Sequence, residues 1–108
     1  MSQKIVFMGT PEFSVPALES LASSSHKVLA VYSQPANKAN RGQKIIPSSI
    51  ETFAKEKSLN LRTPENLDDE EYNFLKKLKP DIVVVIAYGK IIPKKFLNLS
   101  KYGFVPEI

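Results

Sequence analysis

The sequence contains no cysteine and only one histidine, and each shortage excludes a class of site. Without cysteine the chain can form neither a disulfide framework nor a thiolate metal site, and cysteine-free chains are typical of the cytoplasm. His26 has no second histidine with which to build a histidine-rich metal site or a histidine dyad. We therefore expect a cytoplasmic protein that uses no metal.

Long apolar runs and targeting patterns are also missing. The longest apolar run, Ile82–Ala87, is far shorter than the ~20 residues that a membrane span needs. The N-terminal MSQKIVFMG leads into an apolar run that is too short for a signal-peptide core. Internal repeats and low-complexity tracts are absent as well, and a chain of 108 residues fits a single domain. We expect no membrane partner and one domain over residues 1–108.

Glycine is scarce where a nucleotide-binding chain would need it. Gly9-Thr10-Pro11 follows the first apolar run, at the place where a dinucleotide-binding protein would have G-x-G-x-x-G. Here a single glycine is followed by a proline, which removes one of the amide donors that a phosphate cradle uses. The segment therefore favours a tight strand-to-helix turn over NAD or FAD binding.

Short apolar segments alternate with segments of helical spacing along the whole chain. The predicted strands are KIVFM (Lys4–Met8), KVLAVYS (Lys27–Ser33), LNLR (Leu59–Arg62), DIVVVIA (Asp81–Ala87) and YGFV (Tyr102–Val105). Helices are predicted near residues 12–22, 49–57, 68–79 and 93–98. Apolar strands separated by helices are typical of a parallel sheet covered on both faces. The pattern predicts an α/β fold with a Rossmann-like doubly wound parallel sheet, truncated at the start of its fifth strand.

Several charged residues are explained by structure alone. The acidic cluster Asp68–Glu71 suits the positive end of a helix dipole. Asp81 and His26 lie at the amino ends of strands, away from the edge where such sheets bind ligands, and His26 suits a surface or helix-capping position. We expect none of these residues to act as a general acid or base.

Ligands of doubly wound sheets bind at the carboxyl ends of the strands, which here are followed by Gly9–Pro11, Gln34–Lys44 and Tyr88–Pro93. Tyr88 and the isoleucines after it could wall an apolar slot for a flat ring, or they could simply pack. Gln34–Lys44 reads as a long loop that carries Lys38, Arg41 and Lys44 and no acid. It suits phosphate groups, and a solvated loop without a ligand remains an open alternative.

Taken together, these segments resemble the methionyl-tRNA formyltransferase family. The matching stretches are KIVFMGTPEFSVPALESL, the QP…RGQK…PSSI region and PDIVVVIAYGKIIPKKFLNLSKYG, in this order, and they cover residues 4 to 104. The resemblance implies formyl transfer from 10-formyltetrahydrofolate to the amino group of initiator methionyl-tRNA during translation initiation. It also implies a formyltransferase domain followed by a small β-barrel domain.

The resemblance also assigns roles to individual residues. It implies contact between the tRNA and Arg41, Gly42, Lys44 and Lys38, with Arg41 leading. It implies a wall of the folate site made of Val85, Ile86, Ala87, Tyr88, Gly89, Lys90 and Ile91. Many members of the family have more proline and more charge in the first of these segments, which here reads QPANKANRGQK.

The family performs the transfer with an asparagine, a histidine and an aspartate that follow the KYGF segment, where this chain reads VPEI. We therefore expect the N-terminal part of a formyltransferase domain, without the β-barrel domain and without a catalytic residue. Such a chain is expected to be inactive alone, and a complementary chain could supply the other half. The alternatives are a non-catalytic tRNA- or folate-binding remnant and a sibling formyltransferase acting on a sugar nucleotide. The GTPEF start and the RGQK…PS region favour the tRNA enzyme over that sibling.

Overall fold

A computed structural model describes residues 2–39 and 44–107 of the chain. The strands are β1 (Lys4–Gly9), β2 (Lys27–Tyr32), β3 (Asn37–Ala39), β4 (Lys44–Ile46), β5 (Leu61–Arg62), β6 (Ile82–Ile86) and β7 (Phe104–Glu107). The helices are α1 (Val15–Ala22), α2 (Ser49–Glu56) and α3 (Asp69–Leu78), and short 3-10 helices span Glu12–Ser14 and Lys94–Asn98.

The main sheet has five strands in the spatial order β5-β2-β1-β6-β7, and every neighbouring pair is parallel. Consecutive strands are joined by helical segments, as parallel pairing requires. The predicted α/β class with a Rossmann-like sheet is therefore confirmed, and all five predicted strands are present. The fifth, β7, pairs with β6 from Phe104 to Glu107.

Alternate residues of the central strands face two separate cores. Val6 and Met8 of β1 pack in the core on the α3 side, whereas Phe7 packs on the opposite side with α1 and α2. Because a strand alternates the direction of its side chains, a strand buried on both faces must be apolar at every position. This requirement explains the continuous apolar runs in the sequence.

Two helices begin where the sequence places side-chain caps. The Ser48 hydroxyl accepts the Glu51 backbone N–H at 2.9 Å at the start of α2. The Asp68 carboxylate accepts the Glu71 backbone N–H at 3.2 Å at the start of α3. At the other end of α3, Lys79 takes a left-handed conformation with φ of 52°, and Pro80 follows it. These caps confirm the predicted starts and the predicted stop.

The chain reverses its direction of winding between β1 and β6. From β1 it proceeds outward to β2 and β5, and after α3 it returns to β6, on the other side of β1, and then to β7. The carboxyl ends of β1 and β6 therefore flank the crevice at which doubly wound sheets bind their ligands. Gly9-Thr10 and Ala87-Tyr88 occupy these two ends.

One prediction of local structure was wrong. The region predicted as a loop from Gln34 to Lys44 contains β3, which pairs antiparallel with β4 in a two-stranded ribbon. Strands of three residues without apolar alternation carry no readable period, so the sequence concealed them. The helix predicted over residues 93–98 is a 3-10 helix, and a 3-10 turn over Glu12–Ser14 precedes α1.

His26 and Asp81 lie at the amino edge of the main sheet, as expected. His26 Nδ1 accepts the Gln3 backbone N–H at 2.9 Å. One carboxylate oxygen of Asp81 accepts the Lys4 backbone N–H at 2.7 Å, at the start of β1. Both side chains thus fix the chain ahead of β1, at the edge opposite the candidate site.

Candidate functional site at the carboxyl edge

The three segments that the sequence pointed to are hydrogen-bonded to one another. The Thr10 hydroxyl donates to the Tyr88 carbonyl oxygen at 2.7 Å, and the Gln34 side-chain amide donates to the same oxygen at 3.1 Å. The Gln34 backbone N–H donates to the Thr10 hydroxyl oxygen at 3.3 Å. The ends of β1, β2 and β6 are thus joined around one carbonyl group, and we call these three residues the carboxyl-edge hub.

Close packing beside the hub explains why Gly9 is a glycine. A Cβ atom at Gly9 would lie 2.8 Å from a ring carbon of Phe7 and 2.9 Å from the Ile86 carbonyl oxygen. That carbonyl also accepts a hydrogen bond of 2.8 Å from the hydroxyl of Ser14, which is fully buried. Gly9 therefore serves the contact between β1 and β6, as a tight strand-to-helix turn requires.

The chain leaves β6 through an unusual backbone. Ala87 has φ of 53° and Gly89 has φ of 94°, so both residues adjacent to Tyr88 have positive φ. This conformation costs a non-glycine residue roughly 1–2 kcal/mol, and such strain persists only where the surroundings impose it. Here the Tyr88 carbonyl is held by the hub, and the Tyr88 ring is buried.

The predicted folate-site wall divides into a buried and an exposed part. Ile86 and Tyr88 are buried, and the Tyr88 ring, only 2% exposed, packs in the core that includes Phe96. Burial raises the pKa of the Tyr88 hydroxyl to about 12, with a smaller contribution from the charge of Glu71. The Tyr88 ring therefore packs against the protein, which is the alternative that the sequence left open, and the folate-site wall stays a prediction.

The exposed part of the wall lies just beyond Tyr88. Ala87, Gly89 and Lys90 are exposed, and the Ile91 side chain is 92% exposed. Val85 is half-buried and packs against the core on the α3 side. The accessible part of the segment is thus backbone, one lysine and one isoleucine.

The basic segment from Gln34 to Lys44 starts at the carboxyl end of β2, at the same edge of the main sheet. In the ribbon, Lys38 pairs with Ile45 and Ala39 pairs with Lys44, and only the backbone of the two lysines is described. Arg41 and Gly42, the other predicted tRNA contacts, lie outside the described residues. The side chains of Ile45 and Ile46 are 65% and 52% exposed.

Both ends of the excursion from Gln34 to Pro47 are fixed to the sheet. At its start, Gln34 belongs to the hub, and the buried Ser33 hydroxyl is hydrogen-bonded to the Ser48 hydroxyl. Ser48 is also the N-cap of α2, so the same hydroxyl ties the end of the excursion to a helix. The ribbon therefore starts and finishes at defined points of the carboxyl edge.

A buried polar network under this edge was missed by reasoning from sequence. Glu71 of α3, 6% exposed, accepts the Tyr32 hydroxyl at 2.7 Å and two N–H groups of Arg62 at 2.7 and 3.1 Å. Burial alone would raise the pKa of the Glu71 carboxyl, but the hydrogen bonds from Arg62 and Tyr32 outweigh it and lower the pKa. Burial and the bond to Glu71 raise the pKa of Tyr32 well above its ordinary value.

The network joins the carboxyl ends of two strands to a helix. Tyr32 is the last residue of β2, Arg62 is the last residue of β5, and the Arg62 guanidinium also lies 3.9 Å from the centre of the Phe74 ring. The sequence does contain a signal that Glu71 is buried. At helical spacing it falls on the same stripe as three leucines, Leu67, Leu75 and Leu78. The expectation that the helix dipole explains the whole cluster Asp68–Glu71 was therefore incomplete for Glu71.

Two further features are absent from the described ranges, a metal-ligating cluster and a membrane-spanning helix. Among residues 2–39 and 44–107, no group of three or more metal-ligating side chains comes together. In the same residues, no helix has the length and apolar character to cross a membrane.

Comparison with known proteins identifies the family of this chain. The family model described as formyl transferase matches residues 3–105, which is nearly the whole chain. The chain therefore belongs to the formyl transferase family.

Individual relatives carry a more specific name. The chain is 51% identical over 107 residues to a methionyl-tRNA formyltransferase of Pelagibacter ubique, a match that covers 97% of this chain and 34% of the relative. It is 48% identical to a protein of the same name from Coxiella burnetii, over 97% of this chain and 34% of the relative. A third, from Prochlorococcus marinus, is 45% identical over 93% of this chain and 31% of its own length. The chain thus spans about a third of the length of these relatives.

Proposed function

We propose that this chain forms the part of a methionyl-tRNA formyltransferase that receives both substrates. The observation that carries the proposal is the carboxyl edge, where the basic ribbon and the segment after β6 meet at the hub. The relatives that are named methionyl-tRNA formyltransferase support it. The reaction would form a bond between the formyl carbon and the amino nitrogen of initiator methionyl-tRNA. The bond between that carbon and N10 of 10-formyltetrahydrofolate would break, and a proton would leave the attacking nitrogen.

The segment from Val85 to Ile91 is proposed as one wall of the folate site. Its exposed backbone at Ala87 and Gly89 offers hydrogen-bonding groups at a point where Gly89 has no side chain to block a ligand. The exposed Ile91 side chain adds an apolar surface. A flat heterocycle with polar edges binds to this combination of groups. Since the Tyr88 ring is buried, Tyr88 would contribute through its backbone.

The segment from Gln34 to Lys44 is proposed to contact the tRNA. Lys38, Arg41 and Lys44 carry charge of one sign, and a guanidinium can bind a phosphate through two hydrogen bonds. The ribbon is joined to the sheet at Gln34 and Ser48, so a tRNA bound there would lie beside the proposed folate wall. A cytoplasmic location is part of the proposal, on the grounds of the cysteine-free sequence and the relatives' name.

Replacing Arg41 by alanine is expected to weaken binding of initiator tRNA and to flatten its dependence on salt. Each lost phosphate contact lowers the slope of log K against log salt by about 0.7 to 0.9. The measurement is a fluorescence titration of labelled tRNA at several salt concentrations. Lys27→Ala is the matched control, because Lys27 is exposed at the amino end of β2, at the opposite edge of the sheet. Equal slopes for Arg41→Ala and Lys27→Ala would exclude Arg41 as a phosphate contact.

The isolated chain is expected to bind without transferring the formyl group. The asparagine, histidine and aspartate that the family uses are not found in the matching segments, so no group here is proposed to accept the proton of the amine. A single-turnover assay with 10-formyltetrahydrofolate and charged initiator tRNA measures this directly. Formylated product from the purified chain would refute the expectation. Product that forms only after a complementary chain is added would support the proposal of a split enzyme over that of a binding remnant.

A further inference from the structure

We propose that Thr10 and Gln34 are positioning residues that couple the basic ribbon to the Val85–Ile91 segment through the Tyr88 carbonyl group. The inference rests on the proposed function for the identity of the two ligands. It goes beyond that function by assigning a positioning role to Thr10, which lies outside both proposed contact segments, and to Gln34, which begins the first of them, and by predicting that the two sites influence each other.

The Tyr88 carbonyl oxygen accepts two hydrogen bonds, one for each of its lone pairs. A carbonyl oxygen has two lone pairs, and here each has a donor, Thr10 at 2.7 Å and Gln34 at 3.1 Å. The donors come from the ends of different strands, β1 and β2. The orientation of the Tyr88–Gly89 peptide group is therefore set by residues that lie far from it in sequence.

The Tyr88–Gly89 peptide group has an alternative orientation. The described peptide bonds are all trans, so the Gly89 N–H points away from the side on which the hub holds the Tyr88 carbonyl. Rotation of the peptide plane would exchange these directions. Gly89 permits the rotation because glycine populates positive and negative φ with similar ease, and its present φ is 94°. The hub selects one of two backbone states at the start of the exposed wall.

The backbone that leads into the hub is strained. Ala87 has φ of 53° with a Cβ atom present, and strain of this kind persists only where the surroundings impose it. The hub and the buried Tyr88 ring are the surroundings that impose it. Rotation of the Tyr88–Gly89 peptide plane leaves φ of Ala87 unchanged, so this strain shows how firmly the segment is held and leaves the choice between the two peptide orientations to the hydrogen bonds of the hub.

The coupling follows from the double role of Gln34. Its backbone N–H contacts Thr10 and its side-chain amide contacts Tyr88, and the same residue begins the excursion that leads to β3. Only two residues separate Gln34 from β3, so displacement of the ribbon by a ligand would be passed to Gln34 and would change the population of the Tyr88–Gly89 state. By linkage, a ligand that binds the Val85–Ile91 segment changes affinity at the ribbon by the same factor.

The experiment begins without ligand. Thr10→Val removes the hydroxyl and keeps the shape of the side chain, whereas Thr10→Ser keeps the hydroxyl and is the matched control. Gln34→Leu removes the second donor. Loss of one hydrogen bond at the Tyr88 carbonyl is expected to raise the conformational-exchange contribution to amide nitrogen relaxation at Gly89–Ile91, measured by NMR, by about 3- to 10-fold, without a matching rise in the core of β1. Thr10→Ser is expected to leave this contribution as in the wild type.

The second measurement uses ligands. Binding of 5-formyltetrahydrofolate, a chemically stable reduced folate, is titrated with and without saturating uncharged initiator tRNA. The wild-type chain is expected to show a ratio of the two dissociation constants of about 5 or more, typical of a coupling between sites. Thr10→Val and Gln34→Leu are expected to bring that ratio towards one, and Thr10→Ser is expected to preserve it.

The outcomes separate this inference from the proposed function. If the wild-type chain binds neither ligand, the proposed function fails, and conformational exchange at Gly89–Ile91 still decides whether the hub positions this segment. If the chain binds both ligands with a ratio of one, the function stands and the coupling is wrong. Unchanged conformational exchange at Gly89–Ile91 in both Thr10→Val and Gln34→Leu would overturn the positioning role. If either variant unfolds, the other one decides.

Discussion

Replacing Arg62 by methionine is expected to lower the free energy of unfolding by about 3 kcal/mol, the lower end of the range for removing one partner of a buried ion pair, because the Arg62 side chain is 27% exposed. Glu71 is 6% exposed and accepts its two shortest hydrogen bonds from Arg62 and Tyr32. Methionine keeps the apolar contacts of the arginine stem and removes the cation. The carboxylate is then left buried with the Tyr32 hydroxyl as its remaining strong partner.

The effect is expected to depend on pH, with a sign that identifies Glu71 as its source. In the wild type the pKa of the Glu71 carboxyl lies below its ordinary value of 4.5. Glu71 therefore stabilises the fold above that value, and this stability is lost as the pH falls through the lower pKa of the folded state. Without Arg62, burial becomes the dominant effect and raises the folded-state pKa above 4.5. The variant then loses stability as the pH rises through this range.

The difference in stability between wild type and Arg62→Met should thus be largest near neutral pH and shrink as the pH falls through and below 4.5, where the carboxyl is protonated first in the variant and then in the wild type. Urea unfolding at a series of pH values measures it. Lys95→Met is the control, because the Lys95–Asp69 pair is exposed and such pairs contribute little to stability. The assignment of the effect to Glu71 would be contradicted by a difference in the free energy of unfolding that is the same at all pH values. A loss of stability in Arg62→Met no greater than that in Lys95→Met would contradict it as well.

A second variant tests whether the cost comes from the unpaired charge. Adding Glu71→Leu to Arg62→Met replaces both partners by apolar groups, and such replacements of buried pairs are often close to neutral. The double variant is therefore expected to be more stable than Arg62→Met alone. Recovery stays incomplete, because the buried Tyr32 hydroxyl loses its acceptor. If the double variant is the less stable of the two, lost packing rather than charge explains the cost.

Replacing Gly9 by alanine is expected to lower the free energy of unfolding by about 1–3 kcal/mol, the usual cost of forcing an extra carbon into a packed core. The new Cβ would meet the Phe7 ring at 2.8 Å and the Ile86 carbonyl oxygen at 2.9 Å. Neither neighbour can move easily, because Phe7 is fully buried and the Ile86 carbonyl belongs to the backbone of β6 and accepts the Ser14 hydroxyl. The added methyl group therefore presses β1 and β6 apart.

The damage should reach the candidate site, because the hub begins one residue after Gly9 and two residues after Ile86. Urea unfolding gives the loss of stability, and the NMR amide chemical shifts of Gly89–Ile91 report the displacement of the segment after β6. Ser20→Ala is the control, since Ser20 is exposed on α1 and the change adds no atom to the core. Stability of Gly9→Ala equal to that of Ser20→Ala would show that β1 and β6 can separate without cost.

The strands and helices could be predicted from the sequence because their signals are local. IVVVI is apolar at every position, which is what a strand buried on both faces requires, and it forms β6. Ser48 with Glu51 and Asp68 with Glu71 have the spacing at which a side chain caps the first turn of a helix, and both caps are present. The order of these segments along the chain also determined the class of the fold.

The ribbon and the buried network could not be predicted in this way. β3 and β4 are three-residue strands stabilised by pairing with each other, and neither has a periodic pattern of its own. Glu71 stands in a run of acids whose composition suggests a solvated helix start. Its burial depends on Tyr32 and Arg62, which are 39 and 9 residues away in the sequence.

By itself, then, the sequence determined the parallel α/β sheet, the caps of its helices and the edge at which its functional segments lie, since these follow from periodicity and residue type within short windows. The tertiary structure alone decided that Thr10 and Gln34 share one carbonyl oxygen and that the Tyr88 ring lies in the core. It also decided that β1 and β6 approach so closely at Gly9 that a Cβ atom does not fit there. These facts depend on distances between residues far apart in the chain. Packing fixes such distances only when the whole sheet has formed.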